Sequence, residues 1–284
     1  MRRRARSWVV FTDLDGTLLD HNTYRWDAAQ STLDALRCFQ VPLVIVTSKT
    51  LSEVQPLLSK LGRREPVVVE NGGAIHFPAG YFPFRIKGAV KSRKGGLRVA
   101  LGTPRRRLLR TLAQASERAG VRLRSFAEMS ARELAQRAGL SLADARCALE
   151  REFDEPFVIL DADRNAPARL KRQIQCLGMT MTRGSRFFHI LGGNDKGEAV
   201  WRLTAWFYRA FGQPVCTVGL GDSPNDIPLL RAVDVPILVA RPNGRYDPET
   251  VAAVPRAQRA SGAGPAGWNS ALLRLLLRPG LPTE

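Results

Sequence analysis

Short, continuous apolar runs alternate with amphipathic helical segments in two parts of the 284-residue chain. The apolar runs are WVVFTD, VPLVIVTSK, EPVVVENGG, PVCTVGLGD and VPILVA, and the helical segments include DAAQSTLDALRCFQ, LSEVQPLLSKLG, KGEAVWRLTAWFYRAFG and NDIPLLRAV. Such runs are typical of strands buried on both faces of a sheet, and their alternation with helices predicts βαβ units. We therefore predict an α/β fold with a Rossmann-like parallel-sheet core.

The regular alternation stops between about residues 81 and 191. This segment contains the Gly-rich stretch KSRKGGLRV, the helical stretches RRRLLRTLAQASERAG and SARELAQRAGLSLADARCALEREF, and the strand-like runs PFVILD and RFFHIL. An insertion that splits one α/β domain is the simplest explanation. We predict a core domain from residues 1–82 and 192–284 and an inserted α/β cap domain from residues 83–191.

The formal net charge of +17 raises the question of a polyanionic partner. The basic residues are scattered, and the runs RRRAR and PRRRLLR lack the interleaved aromatic side chains of a base-stacking surface. A basic field also steers a small anionic substrate toward its site. We therefore predict a small-molecule substrate and no nucleic-acid partner. The alternative, a non-enzymatic basic binding protein, predicts strongly salt-dependent association with nucleic acid.

Two features bear on the compartment in which the chain works. No apolar run approaches the ~18 residues of a membrane span, and the start MRRRARSWVVF does not have the pattern of a signal peptide. We expect no membrane partner and a cytoplasmic protein. The cysteines show neither CxxC spacing nor a pattern with histidines, so we expect reduced, buried thiols at Cys38, Cys147, Cys176 and Cys216. The oligomeric state stays open.

Polar side chains follow the predicted strands at their carboxyl ends. They are Asp13 and Asp15 after the first strand, Thr47 and Ser48 after the second, Glu70 and Asn71 after the third, and Asp222 and Asp226 in GLGDSPND. In parallel sheets these ends meet at one edge, where ligands bind. Carboxylates that converge there need a cation, and oxygen-only ligands favour Mg²⁺.

Other metals fit the sequence less well. In DLDGT a calcium-binding loop would need Gly where Leu18 stands, and no Glu closes the loop. The histidines His21, His76 and His189 have no zinc-ligand spacing. The sequence therefore favours magnesium over calcium and zinc.

Lys196 begins a predicted helix, where the helix macrodipole disfavours a cation by ~0.3–1 kcal/mol. An anion bound beside it would reverse that cost, and backbone N–H groups at the same helix end also attract phosphate. Lys196 is therefore a candidate phosphate ligand, and a solvated surface lysine is the alternative.

Four motifs, DLDGTLLD, VIVTSK, NDKGEAV and GDSPND, resemble those of the haloacid dehalogenase superfamily of phosphatases, in the same order. The segment between them resembles the large α/β cap of that superfamily. More narrowly, VVVENGGAI, LEREFDEPF, TRGSRFFHILGGNDKGEA and GPAGWN resemble the mannosyl-3-phosphoglycerate phosphatase family. The resemblance implies a Mg²⁺-dependent phosphomonoesterase that converts mannosyl-3-phosphoglycerate to mannosylglycerate, a compatible solute, and phosphate.

Catalytic roles follow from this resemblance and from the demands of phosphoryl transfer, which are positioning and charge neutralisation. We expect Asp13 to attack phosphorus and to form an aspartyl-phosphate. Asp15 would protonate the leaving oxygen and later accept a proton from water. The hydroxyl of Thr47 and the ammonium of Lys196 would hold the phosphoryl oxygens.

The resemblance also implies a ligand set for the metal. In similar enzymes Mg²⁺ is held by residues that correspond to Asp13, to Asp222 and to the backbone carbonyl of Asp15. Asn225 and Asp226 would not bind the metal themselves but would orient these groups through hydrogen bonds.

Substrate-binding residues are expected in the cap and at the strand ends. In TRGSRFFHI, a guanidinium can bind the glycerate carboxylate in a bidentate manner, and solvated surface arginines are the alternative. In the turn after the third strand, Glu70 and Asn71 could bind sugar hydroxyls, and an ordinary Asn-Gly turn is the alternative. The predicted substrate-binding residues are Thr47, Ser48, Glu70, Asn71, Gly72, Arg183, Gly184, Ser185, Arg186 and Lys196.

The core motifs would serve other phosphate esters equally well. The alternative substrates are glucosyl-3-phosphoglycerate or another sugar phosphate, and a phosphotransferase reaction like that of the related phosphomannomutases uses the same chemistry. These alternatives differ in the cap, where substrate choice is expected.

Overall fold

The computed structural model describes residues 7–184 and 186–277. Within these ranges the strands are β1 (Ser7–Thr12), β2 (Leu43–Val46), β3 (Val67–Val69), β4 (Ala74–Phe77), β5 (Val90–Lys91), β6 (Leu97–Ala100), β7 (Leu123–Ser125), β8 (Glu155–Ile159), β9 (Thr180–Arg183), β10 (Phe188–Leu191), β11 (Val215–Gly221), β12 (Val235–Ala240) and β13 (Gln258–Ala263). The α-helices are α1 (Gln30–Cys38), α2 (Leu51–Leu61), α3 (Arg105–Ala119), α4 (Ala131–Ala138), α5 (Leu142–Leu149), α6 (Ala166–Cys176), α7 (Lys196–Phe211), α8 (Ile227–Ala232), α9 (Pro248–Ala253) and α10 (Gly264–Leu276).

Nine strands form a large sheet in the order β13-β12-β11-β1-β2-β3-β4-β6-β5. The strands from β13 to β3 pair in parallel, and β4, β6 and β5 extend the sheet in antiparallel pairing. Strand β1 lies between β11 and β2, and Thr12 is in register with Leu220 on one side and Ile45 on the other. The acidic residues that follow β1 and β11, in the first and the last motif of the chain, therefore lie at the ends of neighbouring strands. The predicted parallel-sheet core is confirmed.

Both faces of this sheet are buried. Along β1, Val10 packs on one face in a cluster with side chains of α1, α2 and α10, whereas Val9 and Phe11 pack on the other face with α7 and α8. Trp268 of α10 is fully buried, and its indole N–H donates to the Thr12 hydroxyl at 2.9 Å. Because each strand residue has an apolar neighbour on one face or the other, the strand runs are continuously apolar.

Four antiparallel strands form a second, smaller sheet in the order β7-β8-β10-β9. Helices α3 and α6 cover one face, where Phe157 is buried, and α4 and α5 pack on the other side, next to Val158. In the chain this unit lies between β6 and α7. We use the name cap for this unit. Strands β5 and β6, which the predicted cap segment 83–191 includes, pair with the large sheet, and the domain division itself stays a prediction.

Local signals explain the ends of the helices that flank the site. Helix α2 begins with a capping box between Thr50 and Glu53 and ends at Gly62, which adopts the left-handed conformation. Helix α7 begins after Asp195, whose carboxylate accepts from the N–H of Glu198 at 2.9 Å. The N-cap at Asp195 therefore fixes Lys196 as the first residue of α7.

The expectations about the compartment have different outcomes. The prediction of buried thiols is wrong, because Cys38 and Cys176 are exposed at the carboxyl ends of α1 and α6, and Cys147 and Cys216 are part-buried. No disulfide joins any of these four described residues.

In the described ranges no helix has the length and apolar character needed to cross a bilayer. The cytoplasmic location stays a prediction.

Candidate active site

Charged side chains from distant parts of the chain meet at the carboxyl ends of β1 and β11. The Lys196 Nζ atom lies 2.5 Å from Asp13 Oδ1 and 2.6 Å from Asp226 Oδ1. Carboxylate oxygens of Asp13, Asp222 and Asp226 lie within 4.8 Å of one another, and all three residues are buried. Lys196 is only 1% exposed. The sequence prediction that Asp13 and Asp222 converge is met by this geometry.

The electrostatics of this cluster are unbalanced, because three carboxylates share one ammonium. Burial and the nearby Asp226 together raise the pKa of Asp13 to about 7, against the effect of Lys196. Burial also raises the pKa of Asp222 well above its ordinary value. For Lys196, burial lowers the pKa, but Asp13 and Asp226 outweigh it and the pKa is raised. A divalent cation would restore the balance.

The oxygen atoms of the cluster divide into used and available ones. Asp226 uses both: Oδ1 accepts from Lys196, and Oδ2 accepts from the backbone N–H of Asp222 at 3.0 Å and of Ser223 at 3.1 Å. In Asp222 only Oδ1 has a hydrogen bond to a described residue, from Thr17 at 3.3 Å. Because Asp13 and Asp222 keep an oxygen free of hydrogen bonds within the described ranges, this donor set fits a hard divalent cation.

Gly16 lets the backbone of the DGT turn approach this cluster. Its φ is +82°, and a Cβ atom there would lie 2.9 Å from Asp222 Oδ2. A side chain at this position would therefore strain the backbone and crowd the carboxylate.

The side chain of Asp15 points away from the acidic cluster. Its Oδ2 atom forms an ion pair with Lys49 Nζ at 3.0 Å, and Oδ1 is buried with no hydrogen bond to a described residue. Burial lowers the pKa of Lys49, but Asp15 and Glu53 outweigh it and raise the pKa. Lys49 was not among the predicted site residues, and its position two residues after Thr47 was the available signal.

Thr47 and Ser48 lie directly after β2, beside this pair. Thr47 is 1% exposed, and its hydroxyl accepts from the N–H of Lys49 at 3.2 Å. The carbonyl of Ser48 accepts from Arg151 of the cap segment at 3.0 Å. The turn therefore connects the core with the cap next to Asp15.

The turn Glu70–Gly72 connects the two sheets as well. Glu70 and Asn71 adopt left-handed φ values of 50° and 52°. The Glu70 carboxylate accepts from the backbone N–H groups of Glu152, Phe153 and Asp154. Burial raises the pKa of Glu70 to about 7, against the effect of Arg151.

Asn71 links the turn that contains Asn225 to the cap. Its amide donates to Asp154 Oδ2 at 2.9 Å and accepts from Asn225 at 3.1 Å. A Cβ atom on Gly72 would lie 2.0 Å from the carbonyl oxygen of Asp195, so this glycine allows the turn to pack on the start of α7. Glu70, Asn71 and Gly72 thus make structural contacts, and substrate contact by them stays a prediction.

Two cavities adjoin the cluster. The smaller, of about 80 Å³, has Asp15, Ser48, Lys49, Arg151, Arg186 and His189 among its lining residues. We call it the Asp15 cavity. The larger, of about 580 Å³, has Asn71, Lys171, Arg183, Lys196, Asn225 and Arg231 among its lining residues. We call it the Arg183 cavity.

The two arginines expected to bind carboxylate therefore face different cavities. Arg186 donates to the carbonyl oxygen of Ala138 and, at 3.1 Å, to that of His21. Arg183 is exposed and lies over the ring of Phe188 at 5.4 Å. Gly184 lines the Asp15 cavity, and the predicted ligand Ser185 lies outside the described residues. Carboxylate binding by either arginine stays a prediction.

Comparison of the sequence with known families gives one match for the first part of the chain. Residues 10–83 match the haloacid dehalogenase-like hydrolases. Two relatives named glucosyl-3-phosphoglycerate/mannosyl-3-phosphoglycerate phosphatase are similar over most of their length. The protein from Methanococcoides burtonii is 39% identical, and that from Persephonella marina is 38% identical, each over 94% of this chain and 97% of the relative.

Comparison with solved structures supports the fold. A sugar phosphatase of subclass IIB of the haloacid dehalogenase (HAD) superfamily has a similar structure, with a TM-score of 0.65 at 15% identity. The similarity covers 95% of this chain and 99% of that chain. At this identity the likeness concerns the fold: a large, mainly parallel sheet with an inserted cap.

Proposed function

The chain belongs to the haloacid dehalogenase-like hydrolases, in the family of glucosyl-3-phosphoglycerate/mannosyl-3-phosphoglycerate phosphatases, and we propose that it hydrolyses both of these sugar phosphates. It is a phosphoric monoester hydrolase, and the superfamily resemblance of its four motifs is confirmed. The observation that carries the catalytic proposal is the buried contact of Lys196 with Asp13 beside Asp222.

Asp13 is the proposed nucleophile. One of its carboxylate oxygens forms a bond to phosphorus while the bond between phosphorus and the glycerate oxygen breaks, which leaves an aspartyl-phosphate. The departing oxygen takes a proton from Asp15. A water molecule then attacks phosphorus and gives its proton to Asp15, and phosphate leaves with regeneration of both carboxyl groups. The buried Oδ1 of Asp15, which has no described partner, supports the proton-transfer role.

Lys196 and Thr47 are proposed to hold the phosphoryl oxygens. Both are buried at the strand ends and donate from an ammonium and a hydroxyl. Asp226 positions Lys196 through its Oδ1 atom, and Asn225 supports the turn that carries Asp226 through its bond to Asn71. Donors held in this way need no reorganisation when charge shifts during transfer.

Mg²⁺ is the proposed cofactor. Asp13, Asp222 and the backbone carbonyl of Asp15 would hold it. When bound, this cation neutralises negative charge on the nucleophile and on the phosphoryl group. The excess of carboxylates over ammonium groups in the cluster supports this assignment.

The test is phosphate release from synthetic glucosyl-3-phosphoglycerate and mannosyl-3-phosphoglycerate, with and without Mg²⁺, next to a panel of other sugar phosphates. We expect Mg²⁺-dependent turnover of both esters with kcat/KM well above that of the panel. Faster turnover of another sugar phosphate would overturn the substrate assignment.

A further inference from the structure

A histidine of the cap faces the Asp15 cavity and has no part in the chemistry above. His189 lies in β10, is 5% exposed and lines this cavity. Its Nδ1 atom lies 2.9 Å and 3.1 Å from the two carboxylate oxygens of Asp154. Because a carboxylate accepts, Nδ1 carries a hydrogen, and the ring interacts with anything in the cavity through Nε2.

Asp154 is held in place from several sides. It is fully buried and accepts from Arg151 at 3.1 Å and from Asn71 at 2.9 Å. Burial opposes its ionisation, but His189 and Arg151 outweigh burial and lower the pKa of Asp154. Its own N–H is bound to Glu70. The carboxylate is therefore a fixed acceptor that sets the orientation of the imidazole ring.

The Nε2 atom of His189 is left uncovered by its neighbours. Within the described residues no hydrogen bond uses it. A Cβ atom at Gly184 would lie 3.3 Å from it, so the absence of a side chain at this position keeps the nitrogen open to the cavity. An oriented ring nitrogen at a cavity wall is a site for a polar group of a ligand.

The charged residues that line the Asp15 cavity indicate which kind of ligand group it can bind. Its cations are Lys49, Arg151 and Arg186, and its acids are Asp15 and Glu53. Arg186 donates to two neutral carbonyl oxygens, so its positive charge has no carboxylate partner in the described part of the chain. An anionic group between Arg186 and His189 would be stabilised, whereas an apolar group would not.

We propose that His189 is a specificity-determining residue: with the substrate bound, its ring carries a hydrogen on both nitrogens, and Nε2 donates a hydrogen bond to the glycerate carboxylate, with Asp154 as its positioning residue. The inference rests on the proposed function, because a glycosyl-3-phosphoglycerate brings a carboxylate close to the transferred phosphate. The carboxylate would then lie between the imidazolium and the Arg186 guanidinium, on the side of the active site where Asp15 meets the leaving oxygen.

Two substitutions of His189 distinguish the roles of the two ring nitrogens, Nδ1 and Nε2. In His189→Asn the shorter amide can still donate to Asp154 but does not reach the cavity. In His189→Gln the longer amide can reach the cavity but gives up the contact with Asp154. If Nε2 carries the recognition, His189→Asn has the larger effect of the two.

The readout is a matched pair of substrates: glucosyl-3-phosphoglycerate and the corresponding glucosylglycerol phosphate, in which a hydroxymethyl group replaces the carboxylate. For His189→Asn we expect kcat/KM on the carboxylate substrate to fall at least about tenfold, mainly through KM, as for loss of a charge-assisted hydrogen bond. On the glucosylglycerol phosphate the change should stay within about twofold, which also reports a folded enzyme.

An equal loss on both substrates, or no loss on either, would overturn the proposal. If the wild-type enzyme hydrolyses neither glycosyl-phosphoglycerate, the proposed function itself fails. If the wild-type enzyme hydrolyses them and His189→Asn behaves like the wild type, only the role of His189 fails.

Discussion

The ammonium of Lys196 lies 2.5 Å from Oδ1 of Asp13, although 183 positions separate the two residues in the chain. Both groups are buried, and Lys196 also contacts Asp226 at 2.6 Å. A contact of this kind links catalysis to stability, since its removal leaves uncompensated buried charge. Both consequences can be measured.

Asp13→Asn should abolish turnover and leave the fold intact. The amide has the shape of the carboxylate but cannot form the aspartyl-phosphate, so kcat should fall by on the order of 10⁴-fold or more. Steady-state phosphate release measures this loss, and circular dichroism checks the fold. The matched control is Asp34→Asn at an exposed position on α1, which should retain full activity. Substantial activity in Asp13→Asn would contradict the nucleophile assignment.

Lys196→Met should destabilise the protein as well as inactivate it. Without the ammonium, Asp13 and Asp226 face each other in a buried environment, and we expect the free energy of unfolding to fall by about 3 kcal/mol. Urea denaturation measures it. In the double variant with Asp226→Asn one of the two buried carboxylates is neutral, so part of the loss should be recovered. A double variant no more stable than Lys196→Met would show that charge repulsion is not the cause.

Removal of divalent cations should stop phosphate release, and added Mg²⁺ should restore it. Asp222→Asn should raise the Mg²⁺ concentration needed for half-maximal activity by about tenfold or more, because a ligand carboxylate is replaced by a neutral amide. Thermal unfolding gives a second readout, since a cation that binds the folded state raises Tm. Full activity in the presence of a chelator would exclude a metal-dependent reaction.

One of the two variants, Arg183→Ala or Arg186→Ala, should raise KM for the glycosyl-phosphoglycerates about tenfold, with little change for p-nitrophenyl phosphate. A guanidinium that binds the glycerate carboxylate is lost, whereas the small ester makes no such contact. Because the two arginines line different cavities, only one of them is in a position to contact the carboxylate in the conformation described. A selective effect of one variant alone would identify the cavity that receives the glycerate group, and equal effects on both esters would exclude a substrate-binding role.

His76 should make stability fall at acidic pH. It is buried in β4, where burial and the neighbouring Arg98 of β6 lower its pKa from 6.5 to about 4. Between these values the unfolded chain binds a proton that the folded protein does not, so stability is lost as pH falls from about 6.5 to 4. This difference corresponds to roughly 3 kcal/mol.

Urea denaturation at pH 7 and pH 4.5 measures the effect. His76→Gln should reduce the difference between the two pH values, whereas the matched variant His21→Gln, at a part-buried position outside the sheet, should keep it. An unchanged difference in His76→Gln would assign the acid sensitivity to other groups.

The core and the strand-end residues could be predicted because their signals are local. Apolar runs predicted the parallel strands, and Lys196 was predicted to begin a helix, as it does in α7. The topology of parallel sheets then placed Asp13, Thr47 and Asp222 at one edge. This part of the prediction needed no information about how the side chains pack.

Elements without apolar runs escaped the sequence reasoning. The stretch KSRKGGLRV forms β5 and β6 at the sheet edge, where polar side chains face solvent, so it resembles a link. The Gly- and Ala-rich stretch RASGAGPAG, which has no continuous apolar run, contains the end of β13 and the start of α10. Small residues are favoured there because a Cβ on Gly267 would lie 2.1 Å from the Gly262 carbonyl oxygen.

The contacts between core and cap were also beyond prediction. Glu70 and Asn71 could be recognised as polar residues at a strand end, but Asp154, the partner that they share, lies 84 and 83 positions further on. Only the three-dimensional arrangement shows that these side chains bind protein groups. The ion pair of Asp15 with Lys49 could not be predicted either, because a sequence motif does not show in which direction a side chain points.

The position of β1 between β2 and β11 has a consequence for biosynthesis. While the ribosome is still making the chain, β1 can pair with β2 but must wait for residues 215–221 before its other edge is covered. An unpaired edge strand is prone to association with other chains. We therefore expect the nascent polypeptide to depend on rapid completion or on chaperone protection, and no truncated product that lacks β11 to acquire enzymatic competence.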